Sequence, residues 1–290
     1  MLPDNPMDFA GRCRIVIRIM ASLTLAARFR LRRAAVLARQ ILLSGVAFGA
    51  TCLAQESTPA SSGAATRHAF AEILPTVERS VVMVKVAAFP QVRVKGVIQP
   101  PRQFDLEGPA TVVAPGVVVS SLAIFDPVKG FPPREGVEFS TTVYSKVEIL
   151  VAGAEPIEGT MAAMSDGDDL IFFAPAKPAD AVRLVPLPAL ADPKVEVFAE
   201  YLDVTRAPAG FAHSAVARVS TITGAMPSGE FIFVTTQSTG SPVVDAQGRL
   251  LGLGVRVSSP GMPATSAVMP AARVLAIARE KGLPAAAPAP

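Results

Sequence analysis

The fold is decided by residues 108–121, which read GPATVVAPGVVVSS. Two runs rich in β-branched residues, 111–113 and 117–121, lie on either side of Pro115-Gly116. Valine-rich runs favour strands, and a Pro-Gly pair between two of them is a turn signal. The stretch therefore predicts two valine-rich strands separated by a turn.

Further short apolar runs follow on both sides of these two strands, separated by Gly, Pro, Asp and Ser. They are residues 81–86, 147–151, 170–174, 195–201, 215–221, 231–235 and 250–257. Such spacing is typical of a barrel or sandwich. Two helices are predicted, one over residues 69–78 and one over 270–281, where Gly282 follows the last turn. The pattern indicates an all-β body between short terminal helices.

The first 54 residues differ from the rest in composition. They contain eight arginines and two acidic residues and end in a short apolar run, residues 41–54. A basic segment, an apolar core and a small-residue ending are typical of a secretory signal peptide. The run is shorter than the about 20 apolar residues that span a bilayer. We expect export to the periplasm or beyond, with no stable membrane span after cleavage.

Two alternatives to this interpretation of the leader stay open. Met20 is an alternative start, and Cys52 is an alternative site for lipid attachment. Both cysteines, Cys13 and Cys52, lie in the leader, so the exported chain depends on its core rather than on disulfides.

The remaining chain divides into three segments. Residues 55–68 are predicted to be a flexible linker, 69–282 the folded domain, and 283–290 an Ala/Pro-rich tail. Residues 55–290 contain 19 basic and 22 acidic side chains, a net charge of −3. The basic pI therefore belongs to the leader, and the charge argues against a nucleic-acid partner. No appended peptide-binding domain is expected after residue 282.

Six segments occur in a recognisable order. They are residues 78–84 (ERSVVMV), 108–121 (GPATVVAPGVVVSS), 165–173 (SDGDDLIFF), 237–245 (QSTGSPVVD), 248–253 (GRLLGL) and 267–270 (AVMP). Together they resemble the trypsin-like protease domain of the bacterial HtrA/DegP class. The resemblance implies two six-stranded antiparallel barrels with short flanking helices at the N- and C-termini. It also implies a serine endopeptidase site between the barrels.

The catalytic positions that the resemblance implies are occupied by unsuitable residues. Ala123 stands at the position of the general-base histidine, and a methyl group cannot accept a proton. A hydroxyl is a weak nucleophile without such a base. Asp169 stands at the position of the aspartate that would orient the histidine. With no histidine to orient, we expect Asp169 to be a turn carboxylate at the start of a strand.

The nucleophile region is altered as well. Thr239 stands at the nucleophile position, and Gln237 stands where the family has an oxyanion-hole glycine. A lost oxyanion donor costs a factor of about 10²–10³ in rate. Ser238 and Ser241 are secondary candidates for a displaced nucleophile, although small polar residues in a retained turn explain them more simply.

Few other side chains offer a substitute base. The histidines are His68 in the linker and His213 in the second half of the chain. Lys129 lies near the start of an insertion, residues 126–145, and Lys146 directly follows its end. This insertion could reach the cleft. Neither a Ser/Lys dyad nor a pair that uses His213 is excluded at this stage.

No metal or cofactor site is predicted. The sequence has no Cys/His cluster with zinc spacing and no phosphate-binding glycine loop. Residues 166–169 (DGDD) lack the alternating ligands and the distal glutamate of a calcium loop, so a solvated turn is expected.

Three functional hypotheses result. The first is an exported, catalytically inactive module that binds an extended peptide or unfolded segment. The second is an active endopeptidase with a rearranged site, which requires a His or Lys within about 3 Å of Ser238, Thr239 or Ser241. The third is a structural envelope domain, favoured if Phe125 and Phe172 fill the cleft. The oligomeric state is open.

Overall fold

A computed structural model describes residues 61–128, 135–190, 196–257 and 264–285. The predicted signal peptide with Met20 and Cys52, most of the Ala/Pro-rich tail, and Lys129 lie outside the described residues. No helix in the described part of the chain is both long and apolar enough to cross a membrane.

The described residues form thirteen strands and three α-helices. The strands are β1 Val81–Val94, β2 Val97–Ile98, β3 Phe104–Ala114, β4 Val117–Ser121, β5 Val137–Leu150, β6 Ile157–Ser165, β7 Leu170–Pro175, β8 Glu200–Arg206, β9 Ala215–Ala225, β10 Ile232–Val234, β11 Pro242–Val244, β12 Leu250–Val257 and β13 Thr265–Pro270. The helices are α1 Ser61–Val77, α2 Leu122–Phe125 and α3 Ala271–Glu280.

The first barrel has the strand order β1-β3-β4-β7-β6-β5, and β5 pairs back with β1 to close it. The short strand β2 adds to β1 at the edge. All these pairings are antiparallel, with Val82 opposite Ala110 and Val118 opposite Phe173. The interior is apolar and includes an edge-to-face pair, Phe125 and Phe173, whose ring centroids are 5.2 Å apart.

The second barrel has the strand order β8-β9-β10-β13-β12-β11, and β11 pairs back with β8. Val243 lies opposite Asp203 across that closing pair. Each barrel thus has six antiparallel strands, and the all-β, two-barrel fold with short flanking helices is confirmed.

The two predicted strands form as β3 and β4 and pair as a hairpin, with Thr111 opposite Val119. Gly116 supplies the positive φ of the turn, +73°, which L side chains rarely adopt. Alternate residues of β4 point into two different cores. Val118 packs inside the first barrel, whereas Val119 packs in a cluster that also contains Val204 and Leu253 of the second barrel. Burial on both faces explains why this run is continuously apolar.

The terminal helices differ in how well the sequence predicted them. Helix α3 lies within the predicted limits, and Gly282 follows it with φ +74°. Helix α1 begins at Ser61, earlier than the predicted start at Ala69, and so extends into the segment that was interpreted as a linker. Phe70 of α1 is buried in the cluster between the barrels, which accounts for the ordered helix.

The second part of the predicted insertion, residues 126–145, is strand. From residue 137 onward it is part of β5, which continues to pair with β1 as far as Val94 opposite Val137. This segment therefore lengthens two strands of the first barrel.

Arg206 of β8 is buried, with 7% of its surface exposed, and joins the second barrel to the first. Its guanidinium donates to three backbone carbonyl oxygens: those of Glu78, of Val81 at 2.8 Å and of His213 at 3.2 Å. Two of these acceptors precede or begin β1. A buried cation in this position is stable only with such partners.

We expect Arg206→Met to lower the free energy of unfolding by about 3 kcal/mol, because it leaves the carbonyl groups without their charged donor. Urea unfolding followed by circular dichroism measures this loss. The matched control is Arg93→Met, since Arg93 is an exposed residue paired with Glu138 at 3.5 Å. An exposed pair contributes about 1 kcal/mol or less. Equal losses in the two variants would contradict the role assigned to Arg206.

Candidate functional site

Asp169 lies at the centre of the site, immediately before β7, with φ +57°. Only 6% of it is exposed. Its carboxylate accepts a hydrogen bond from the Ser121 hydroxyl, one from the Ala123 N–H at 2.8 Å and one from the Arg256 N–H at 2.8 Å. The expectation of a solvated turn is therefore wrong for Asp169. Its donors come from both barrels, so this carboxylate fastens them together.

Ala123, which stands at the general-base position of the resemblance, lies beside Asp169. Its N–H is the donor at 2.8 Å described above, and it belongs to the short helix α2 that follows β4 without a gap. The structure thus keeps the two positions adjacent. The side chain at the first of them is a methyl group, which has no lone pair to accept a proton.

A cleft of about 530 Å³ opens next to this pair and takes its walls from both barrels. The lining residues are Ala123, Asp166, Gly167, Asp168, Asp169, Phe231, Arg256, Val257 and Ala264. Phe125 and Phe172 do not line it, since both are fully buried in hydrophobic clusters. Among the lining residues the structure describes, none comes from the 126–145 segment.

The acidic residues on this wall already have partners. Asp168 accepts from Ser165 at 2.7 Å and from Arg273 at 2.7 Å. Partial desolvation raises its pKa, but these hydrogen bonds together with the positive charges of Arg273 and Lys281 lower it overall. Arg273 also lies 3.8 Å from Glu230. The DGDD segment is therefore a hydrogen-bonded turn that holds the wall of the cleft.

The turn over residues 237–241 approaches the first barrel at Gly240, which has φ +80°. A Cβ added there would meet the Ser120 hydroxyl and would lie 2.6 Å from the Pro109 carbonyl oxygen and 2.8 Å from Ile124 Cδ1. Only glycine fits. The turn that carries Thr239 thus lies against α2, and the structure brings the three catalytic positions of the resemblance into one region.

Ser238 is held from inside the second barrel. Its hydroxyl donates to Asp203 Oδ2 at 3.0 Å, and Asp203 on β8 is fully buried. Burial raises the pKa of Asp203 above its usual range, although hydrogen bonds from Ser238 and the charge of Arg218 oppose that rise. The sequence analysis did not identify Asp203. The signal that could have found it is a carboxylate in the interior of β8, between the apolar residues Leu202 and Val204.

Two polar residues of the turn are buried without partners. Both side-chain amide atoms of Gln237 and the Ser241 hydroxyl have no hydrogen-bond partner among the described residues. Ser241 is fully buried, which separates it from any substrate.

The possible substitute bases lie elsewhere. His213 Nδ1 is 3.4 Å from Glu107 Oε1, and His68 Nδ1 is 3.2 Å from Glu72 Oε1. Lys146 lines a separate groove with Lys85. In the described part of the chain, the ion-pair partners of the two histidines are thus Glu72 and Glu107, and neither partner belongs to residues 237–241.

Comparison with known proteins gave matches among solved structures alone. No family model matches the chain, and no curated protein matches it. A crystal structure of the active form of the Rv3671c protease from M. tuberculosis is 18% identical, with a TM-score of 0.46, over 75% of this chain and 86% of that one. An inactive serine-to-alanine variant of the same protein is 17% identical, with a TM-score of 0.45, over 72% and 90%. The fold given above rests on the strand pairing itself.

The raised pKa of Asp203 has a consequence for stability. A carboxyl group whose pKa is higher in the folded state favours folding at low pH, and this contribution is lost as the pH rises through the folded-state pKa. We expect Asp203→Asn to be more stable than the wild type at pH 7, and the difference to shrink toward pH 4. Urea midpoints at both pH values measure it. Asp105→Asn, at an exposed position, is the control, and a difference for Asp203→Asn that does not change with pH would contradict the argument.

Proposed function

We propose that this chain is an exported, catalytically inactive protease-fold module that binds extended peptides or unfolded segments. One observation carries the inactivity. Beside the buried carboxylate of Asp169, where hydrolysis needs a proton acceptor, the chain has the methyl group of Ala123. General-base and oxyanion contributions together account for most of the rate of acyl transfer in such a site.

The contacts of Asp169 support the same conclusion. Ser121 and two backbone N–H groups already engage both of its oxygen atoms. The carboxylate therefore acts as a structural tie between the barrels, and its retention needs no catalytic explanation.

The cleft supports a binding role. It has walls from both barrels, about 530 Å³ of space, and both apolar and charged side chains at its surface, among them Phe231 and Arg256. Sites of this volume that combine apolar surface with a few polar groups are typical binding sites. Extended peptides bind at exposed strand edges through main-chain hydrogen bonds, and two of the lining residues, Arg256 and Val257, belong to β12. Export is proposed from the leader, residues 1–54.

A second candidate function is an active endopeptidase with a rearranged site, and one contact favours it. Ser238 Oγ lies 3.0 Å from Asp203 Oδ2, a carboxylate whose raised pKa makes it a stronger base than usual. Two other contacts argue against it. The Ser241 N–H donates to the Ser238 carbonyl oxygen at 3.1 Å, and the Gly240 N–H donates to Gly254 at 2.7 Å. These two backbone donors of the turn are therefore occupied and cannot stabilise an oxyanion.

A fluorophosphonate activity probe distinguishes the two functions. We expect no labelling of the purified, folded protein, because the methyl group of Ala123 stands beside Asp169 where a hydroxyl-activating base is needed. Mass spectrometry of the digested protein reads the result, and a trypsin-like protease of known activity serves as the positive control. Stoichiometric labelling within residues 237–242 that Ser238→Ala abolishes would establish the endopeptidase. Labelling lost instead in Thr239→Ala would also overturn the inactive assignment.

A further inference from the structure

Arg256 places a positive charge at the cleft. It lies near the end of β12, is exposed, and lines the cleft of about 530 Å³. In the described part of the chain, the hydrogen bonds of Arg256 are made by its main chain, and its guanidinium has neither a hydrogen bond nor an ion pair. Arg273, by contrast, is paired with Asp168 at 2.7 Å. The Arg256 guanidinium is therefore available to a ligand.

The main chain holds the base of this side chain in place. The Arg256 N–H donates to Asp169 Oδ2 at 2.8 Å. In the antiparallel ladder with β13, Ser266 lies opposite Arg256 and Thr265 lies opposite Val257. The backbone of Arg256 is thus tied to both barrels, and the charge is anchored at the wall of the cleft.

The carboxylates that line the cleft do not neutralise Arg256. Asp168 is engaged by Arg273, and both oxygen atoms of Asp169 accept hydrogen bonds within the protein. Asp166 is exposed, and in the part of the chain that the structure describes no ion pair joins it to Arg256. An arginine without an acidic partner therefore lines the space between the barrels.

The chemistry of the guanidinium identifies the group that it binds. An arginine side chain stays charged throughout the physiological pH range and presents its N–H groups as a planar fork. A carboxylate matches this fork, because it accepts two parallel N–H···O hydrogen bonds. Phe231 and Val257 add apolar surface to the same cleft, and hydrogen bonds of this kind are stronger beside such surface than in open water.

We propose that Arg256 binds a carboxylate group of the peptide that occupies the cleft. The carboxylate is supplied either by the C-terminus of the peptide or by an Asp or Glu side chain. The proposal rests on the proposed peptide-binding function and names the class of peptide that the cleft selects.

Four synthetic peptides test for this selection. They share an alternating Val and Thr sequence, an acetylated N-terminus and one tryptophan, and they differ in having a free or amidated C-terminus and a central Glu or Gln. Because the protein itself contains no tryptophan, the anisotropy of the peptide's tryptophan fluorescence measures binding. We expect the peptide with neither carboxylate to bind about tenfold more weakly than the better of the two peptides that have one.

A pair of variants assigns the effect to one residue. Arg256→Gln removes the charge and keeps the main-chain hydrogen bond to Asp169. The matched control is Arg218→Gln, which removes a charge at an exposed position of β9 that does not line the cleft. We expect Arg256→Gln alone to bind the preferred peptide about tenfold more weakly. We expect it to bind the neutral peptide as the wild type does, which shows that the variant is folded.

The outcomes are distinct. Failure of the wild type to bind any of the four peptides would overturn the peptide-binding function and this proposal with it. Equal affinity for all four would overturn carboxylate recognition alone. A carboxylate preference that persists in Arg256→Gln, or that Arg218→Gln loses as well, would overturn the assignment to Arg256. A preference lost in Arg256→Gln alone supports the proposal, and the preferred peptide then shows whether the C-terminus or the side chain supplies the carboxylate.

Discussion

The structure depends on two buried charged side chains, one from each barrel, and each of them forms hydrogen bonds with the other barrel. Asp169 of the first barrel accepts from the Arg256 N–H of the second, and Arg206 of the second barrel donates to the Val81 carbonyl of the first. Both charged groups are shielded from water, so each can stay buried only because these hydrogen-bond partners replace its hydration. The contacts set the position of one barrel against the other, and the cleft is the space that results between them.

This constraint explains the arrangement of the site without any reference to catalysis. The aspartate position is maintained by its hydrogen bonds to Ser121, Ala123 and Arg256, and none of these needs an imidazole. Gly240 is maintained by its close packing against Pro109 and Ile124, which needs no nucleophile beside it. Packing and hydrogen bonding therefore hold Asp169 and Gly240 in place without any catalytic role.

Local patterns predicted an all-β body and the resemblance implied the two barrels, but neither identified the partners within the site. The two strands β3 and β4 followed from their valine runs on either side of Pro115-Gly116, and α3 followed from Gly282 just past its end. Asp203 was missed because its partner Ser238 lies 35 residues away and the two meet through strand pairing. The burial of Asp169 was missed because it depends on β12 of the other barrel. The early start of α1 was missed because its composition resembles a linker, and the packing of Phe70 decides it.

The direct junction of β4 with α2 has a mechanical consequence. Ser120 packs against Gly240, whereas Ser121 and Ala123 donate hydrogen bonds to Asp169. These three residues lie within four successive positions, 120–123, at the barrel interface. A hinge that widened the cleft would have to break the Asp169 contacts and the Gly240 packing together. The separation of the two walls of the cleft is therefore set by these contacts and stays constant for as long as they hold.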